Sequence, residues 1–180
     1  MVAKESAMNI KYDGKNVANS IAMVITLVSF TMLFAVFFLG YAIFRFNAQE
    51  WPPMGMDKVG LGIPSLSTLI IVLSSVSLVI VEGAIKQGDK KKAKYIGLIS
   101  LILGFGFIGS QFTLWESLRD RGIFQGTGIY ASLIYGFTWT HVGHMVLAVI
   151  LKLWLVAKVF RVPELKELKE NVVKNISAFW

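Results

Sequence analysis

The chain reads as an all-α polytopic membrane protein. Its mean hydropathy of +0.63, with 55% hydrophobic and only 16% charged residues among 180, is too apolar for an ordinary soluble domain. The apolar residues gather into four runs, each near the roughly 20 residues a helix needs to cross a bilayer. Turn-forming and charged joints separate them: "EWPPMG", "KQGDKKKAK" and "RDRGIFQGTG".

The first run extends from about Ser20 to Phe44, which predicts a helix over 20–44. It is not a signal peptide, because about 19 mostly polar residues precede it and its apolar stretch is longer than a typical signal core. The second predicts a helix over 66–85 and carries a stripe of small hydroxyl residues, "SLSTLIIVLSSVS". The third, over 95–114, contains "GFGFIG", the letter pattern of a dinucleotide-binding loop. That loop needs a preceding strand and a helix opening at the glycines, so in mid-helix the match is fortuitous. Its physical meaning is close helix packing, with Gly106 and Ser110 four apart as a small-xxx-small pair and Gln111 as a hydrogen-bonding group within the bundle.

The fourth helix is predicted over 129–160. It continues past Leu151 at lower hydrophobicity through Lys152 and Lys158 to Pro163, and this last part is expected to protrude into water. After it, "ELKELKENVVKN" from Glu164 reads as a short solvated or interfacial amphipathic helix. The whole of 1–180 is read as one membrane domain.

The net charge of +7 is explained by topology rather than by a nucleic-acid partner. Four crossings put the N-terminus, the second joint and the C-terminal segment on one side. That side collects Lys4, Lys11, Lys15, Lys86, Lys90, Lys91, Lys92, Lys94, Lys152, Lys158, Arg161, Lys166, Lys169 and Lys174, or 14 of the 18 basic residues. The other side has Arg45, Lys58, Arg119 and Arg121, so the positive-inside rule puts the N-terminus in the cytoplasm. The lysine-rich joint is a cytoplasmic turn, with anionic lipid or a subunit as possible contacts. Asn175 opens a glycosylation triplet that has no meaning on that side. Trp51 and Trp115 occupy interfacial anchor positions at the far side.

All eleven carboxylates fall in joints, in tails or within about a turn of a helix end. Proton-coupled transport generally needs an ionisable relay in mid-bilayer, so this weighs against a self-sufficient transporter. The titratable groups read as lying at depth are His141 and His144, three apart on one face of the fourth helix. They could ligate haem, bind a metal or relay protons. Alternatively they are neutral rings hydrogen-bonded to hydroxyls at similar depth, such as Ser74, Ser75, Ser77 and Thr31, and the rule that buried polar groups are paired favours this second reading. Bis-histidine haem ligation needs rings on opposite faces of the porphyrin, which one helix face cannot supply, although a His–Met pair with Met23 or Met32 remains open. With no cysteine, the chain has no disulfide, thiolate metal site or thiol chemistry.

Along the chain come Trp51-Pro52-Pro53, then Pro64 with Thr68 and the pair Ser74-Ser75, then Gly104, Gln111 and Trp115, then Gly128, Tyr130, Thr138, His141 and His144. In that order these pieces resemble subunit III of the haem-copper oxidases. Each is weak alone; their order and spacing over about 160 residues carries the resemblance. It implies a bundle of five or seven helices, here the short bacterial form that lacks the first two. The final "SAFW" resembles the start of the last family helix, so a fifth helix is expected to begin at the C-terminal end.

The resemblance further implies a non-catalytic subunit of a bacterial cytochrome c oxidase, in the inner (plasma) membrane. Such a subunit packs directly against oxidase subunit I, in a complex with subunit II and others. It would support their proton uptake and stability, and hold phospholipid in a cleft. Haems and copper would belong to the partner subunits, with no catalytic, cofactor or metal residue in this chain; the motif residues, both histidines included, would serve packing or interfaces. An accessory subunit of a quinol oxidase or nitric-oxide reductase has the same architecture, and a small four-helix transporter is the alternative of another class.

The chain departs from the family pattern at three places. The acidic residue implicated in proton uptake is replaced by Phe30, the Glu after the third-helix Gln by Leu114 with Glu116 nearby, and the Asn before Thr68 by Ser67. These argue against direct proton transfer and leave packing intact.

Overall fold

A computed structural model describes residues 2–180 except Asp57, Lys166, Glu167 and Lys169, with side chains described outside residues 2–13, Lys15, Asn16 and Glu170. The side chains of Lys4, Glu5, Lys11 and Asp13, which entered the charge argument, therefore lie outside the described set, as do the other charged residues just named.

The chain is helical: α1 (Val2–Asn47), α2 (Gly62–Gln87), α3 (Lys90–Asp120), α4 (Ile129–Arg161) and α5 (Glu170–Phe179). Four stretches are long and apolar enough to cross a membrane: Val17–Asn47, Gly62–Gln87, Lys90–Asp120 and Ile129–Arg161. The expected four spans and the C-terminal fifth helix are all present.

Helix ends differ from the hydropathy bounds because capping, not hydrophobicity, ends a helix. The lysine-rich joint shrinks to Gly88 and Asp89. Gly88 takes the left-handed φ of 77°, and the Gly88 and Asp89 N–H groups donate to the Ile85 and Ala84 carbonyls at 3.1 and 2.9 Å. Asp89 then accepts from the Lys92 N–H at 3.0 Å, opening α3. Lys90 to Lys94 thus belong to α3 itself. The same closure recurs at the far end of α3, where Gly122 has φ 73° and Ile123 N–H donates to the Leu118 carbonyl at 3.0 Å. Pro64 sits in the first turn of α2, where a missing N–H costs nothing. Helix α4 ends just before the extended Val162 that precedes Pro163. The Lys90 ammonium from the start of α3 donates to the Val162 and Pro163 carbonyls there.

Helices α2 and α3 form an antiparallel hairpin held by two serine pairs. Ser74 Oγ donates to the Ser100 carbonyl at 3.1 Å and Ser100 Oγ to the Ser74 carbonyl at 3.3 Å. Further toward the WPP end, Ser67 Oγ and Ser110 Oγ lie 2.8 Å apart, and Gln111 Nε2 donates to Ser67 Oγ at 3.3 Å.

Helix α4 lies antiparallel on α3 in constant register. A Cβ added to Gly97 or Gly104 would meet a Val156 or Val149 methyl at 3.1 Å, and Trp115 Nε1 donates to Thr138 Oγ1 at 2.9 Å. Gly106 and Gly109 have nothing within 4 Å. The expected pair is therefore half right: Ser110 faces α2, whereas Gly106 faces out, and the close approach is made by Gly97 and Gly104.

One core cluster sits at the lysine-rich end, where Leu78, Val81 and Ala84 of α2 meet Leu155 and Val159 of α4 and Val173 and Ile176 of α5. The other, at the WPP end, joins Leu114, Leu118, Ile123, Ala131 and Tyr135. Helix α5 is amphipathic as expected, with Asn171 and Lys174 exposed, but its buried Val173, Ile176 and Phe179 dock on the bundle rather than leaving it solvated. The expected amphipathic segment and the "SAFW" helix start are parts of this one element. Between Val17 and Asn47, no residue of α1 is buried.

Candidate functional site

The helix α1 reaches the bundle through a row of half-buried rings spaced three and four apart: Phe30, Phe34, Phe37 and Tyr41. Phe30 and Phe34 meet the two histidines, while Phe37 meets Phe137 and Tyr41 meets Trp51. The His141 ring lies between Phe34 and Phe107, at centroid distances of 5.9 and 5.4 Å. His144 lies between Phe30 and Phe179, both at 4.7 Å. The two imidazoles stack at 6.5 Å with planes 14° apart.

Their surroundings are therefore aromatic edges and faces from α1, α3 and α5, not hydroxyls. Ser75, Ser77 and Thr31 donate to carbonyls of their own helices, and Ser74 is engaged with α3. The expectation of hydroxyl partners is corrected for a simple reason: depth along the axis was matched, but helical rotation turns these hydroxyls elsewhere. Among the described residues no group of three or more His, Cys, Asp or Glu could hold a metal ion. Phe30, at the position where an acid was expected, presses directly on His144, so this ring has an aromatic neighbour in the place of a carboxylate. His144 Nδ1, Ser177 Oγ and Trp180 Nε1 are buried without a hydrogen-bond partner.

The other motif residues form two groups. Trp51, preceding a cis peptide to Pro52, packs edge-on against Tyr41 of α1 and Tyr130 of α4, at 5.6 and 5.2 Å. The Pro53 carbonyl closes the following turn by accepting from Met56 N–H. Pro64, Thr68, Gln111, Thr138 and His141 line a cavity of about 660 Å³ among α1, α2, α3 and α4. A second cavity of about 410 Å³ at the WPP end is lined by Arg45, Trp51, Pro52, Lys58 and Tyr130. Tyr41, Val59 and Ile134 line both, so the two adjoin as a cleft whose inner part is mostly apolar and whose outer part, its mouth, carries Arg45 and Lys58. Ser75 joins neither group.

Sequence reasoning missed Lys152. Assigned to a water-exposed helix end, it is 1% exposed inside the bundle. Its ammonium donates to Ser74 Oγ at 2.8 Å and lies 3.5 Å from the Ser100 carbonyl and 3.0 Å from the centre of the Trp180 ring. Burying an ammonium away from water is costly unless it is hydrogen-bonded or paired, so these partners must offset that cost. The charge bias becomes 13 against 4, with its sign unchanged. Lys158 is half-buried, its ammonium 4.6 Å from the Trp154 ring of the same helix; the end of α4 packs Leu155 and Val159 on the bundle and leaves Leu153, Trp154, Phe160 and Arg161 exposed. The detectable signal was period: Lys152 follows Met145, Ala148 and Val149 on the inward face of α4.

Fold and site together define a multi-pass helical membrane protein whose polar and aromatic side chains join helices to one another. A model of the family "Cytochrome c oxidase subunit III" matches residues 3–170, and the chain belongs to that family. It is 26% identical over 164 residues to cytochrome c oxidase subunit 3 of Thermostichus vulcanus, covering 89% of this chain and 78% of that one. It is 29% identical over 136 residues to the subunit of the same name from Synechocystis, covering 73% and 57%. With that of Candida parapsilosis it shares 28% over 130 residues, covering 69% and 47%. The chain thus spans about half the length of the latter two.

Proposed function

We propose that this chain is the non-catalytic subunit III of a bacterial terminal oxidase fed by cytochrome c. It lies in the plasma membrane with its N-terminus in the cytoplasm, packs directly on subunit I, and shares the complex with subunit II. The observation that carries the reading is the use made of the motif residues. Trp115 with Thr138, Trp51 with Tyr130, and His141 and His144 with the α1 phenylalanines each join one helix or loop to another. Reduction of oxygen, with its haems and copper, is work for the partner subunits. With Phe30 in place of the acid, the chain supports proton uptake by holding the complex in shape rather than by passing protons itself.

Replacing His144 with leucine removes an edge contact of α1 with α4. The expected result is less of this chain retained in the purified complex, with the haem absorption bands unmoved. A shifted haem band would contradict a packing role for that ring.

Phospholipid is the occupant proposed for the cleft, its chain among Ile71, Phe107 and Leu114 and its phosphate at the mouth with Arg45 and Lys58. In the double variant R45Q/K58Q, lipid extracted from the intact complex should contain less acidic phospholipid per haem. An unchanged lipid content would remove the cleft from the account.

A further inference from the structure

Lys152 is a buried cation that no motif or packing role above absorbs, and it stands where four segments meet. Its own helix is α4, Ser74 belongs to α2, Ser100 to α3, and Trp180 follows α5 directly. Among the described residues no carboxylate lies within ion-pair distance of it. A long cationic side chain near a helix end ordinarily extends to the interface and leaves its head in water. Here the head points inward.

The partners are ordered by what an ammonium needs. Ser74 Oγ accepts from Lys152 while donating to the Ser100 carbonyl, so the hydroxyl relays the charge onto a helix that Lys152 only grazes. The Trp180 ring supplies the remaining face of the ammonium with its negative π surface, a geometry that gains strength when water is excluded. The same ring lies over Gly104, where an added Cβ would be 3.2 Å from it, so any larger residue there would press on the ring.

We propose that Lys152 is an internal latch: its clasp of Trp180 holds the C-terminal helix α5 against the α2–α3–α4 core, and through α5 it keeps α1 seated. The second half follows from the contacts of α1. Phe30 of α1 rests on Phe179 of α5 at 5.8 Å and on His144 of α4 at 4.7 Å, and His144 in turn rests on Phe179. Phe179 is the residue before Trp180. Releasing the ring from the ammonium therefore loosens the surface on which α1 sits, although among the described residues the hydrogen bonds and ring contact of Lys152 go to α2, α3 and Trp180 and not to α1.

The test is amide hydrogen exchange of the whole purified complex, read by mass spectrometry on peptides from α5, from α1 and from the WPP-end cluster. Lys152→Met keeps the length of the side chain and removes the charge. Exchange across 170–180 should accelerate about tenfold, with a smaller acceleration around Phe30 and none across 123–135. Trp180→Leu should reproduce the effect and Trp180→Phe, which keeps a π face, should not. The double variant Lys152→Met/Trp180→Leu should exchange no faster than either single one, because both break the same contact. Unchanged exchange of α5 in Lys152→Met overturns the latch. Should that variant fail to accumulate, Trp180→Leu reads the contact from its other side, and unchanged exchange there overturns it equally. Independent, additive effects would reduce Lys152 and Trp180 to separate packing residues and also overturn it.

Discussion

Gly104→Leu is expected to destabilise the chain by about 1–3 kcal/mol and to deplete it from the purified complex, because it overfills a close helix contact. The α3–α4 seam keeps one register along its length: Gly97 faces Val156, Gly104 faces Val149, and Trp115 bonds Thr138. At Gly104 a mere Cβ would lie 3.1 Å from a Val149 methyl and 3.2 Å from the Trp180 ring. Val149 is buried and Trp180 packs on the Lys152 ammonium, so both have little room to give way to a side chain as large as leucine. A leucine must push the helices apart, and with them the polar contacts that depend on the seam. Gly106→Leu, two residues on, enters open space and should leave retention unchanged. Comparing the amount of each variant in the complex with its melting temperature checks this; equal behaviour of the two would refute the seam.

The second large effect belongs to the WPP end. Tyr135 is buried among Leu114, Leu118, Ile123 and Ala131, and its hydroxyl donates to the Ile123 carbonyl at 3.0 Å. That bond ties the α3–α4 loop onto α4. Tyr135→Ala leaves a cavity and an unpaired carbonyl, and should cost about 3–5 kcal/mol, as aromatic-to-alanine changes in cores do. Tyr135→Phe loses only the hydrogen bond and should cost about 1 kcal/mol. Thermal unfolding of the complex, followed by release of this chain, separates the two. Equal losses would mean that the hydroxyl and not the ring holds the loop.

Much of the fold was legible because a bilayer asks for long apolar runs, and charged joints delimit them. The four spans follow from that alone, whereas the C-terminal fifth helix was expected from the amphipathic pattern after Glu164 and from the resemblance of "SAFW" to the last family helix. Helix ends were less legible: Lys90 to Lys94 look like a loop by hydropathy, yet Gly88 and Asp89 make a complete stop and start in two residues. The family was legible in spaced residues such as Trp51-Pro52-Pro53 and His141 with His144, each of which is weak alone.

Rotation about the helix axis was the hidden variable. Gly106 and Gly104 are equally small, and only the structure tells which faces α4. The depth of Ser75 and Ser77 suggested partners for the histidines, but their hydroxyls turn back to their own helices while phenylalanines surround the rings. Lys152 was misread because a lysine near a helix end is usually solvated, and nothing local announces that a tryptophan 28 positions later covers it.

The central claim is membership in an oxidase complex without redox centres of its own. Its most direct test is a reduced-minus-oxidised optical spectrum of whatever co-purifies in mild detergent with this chain, tagged at its N-terminus. The account predicts haem bands that disappear from the tagged fraction when harsher detergent strips the partners away. A colourless and stable isolated chain in mild detergent would contradict it.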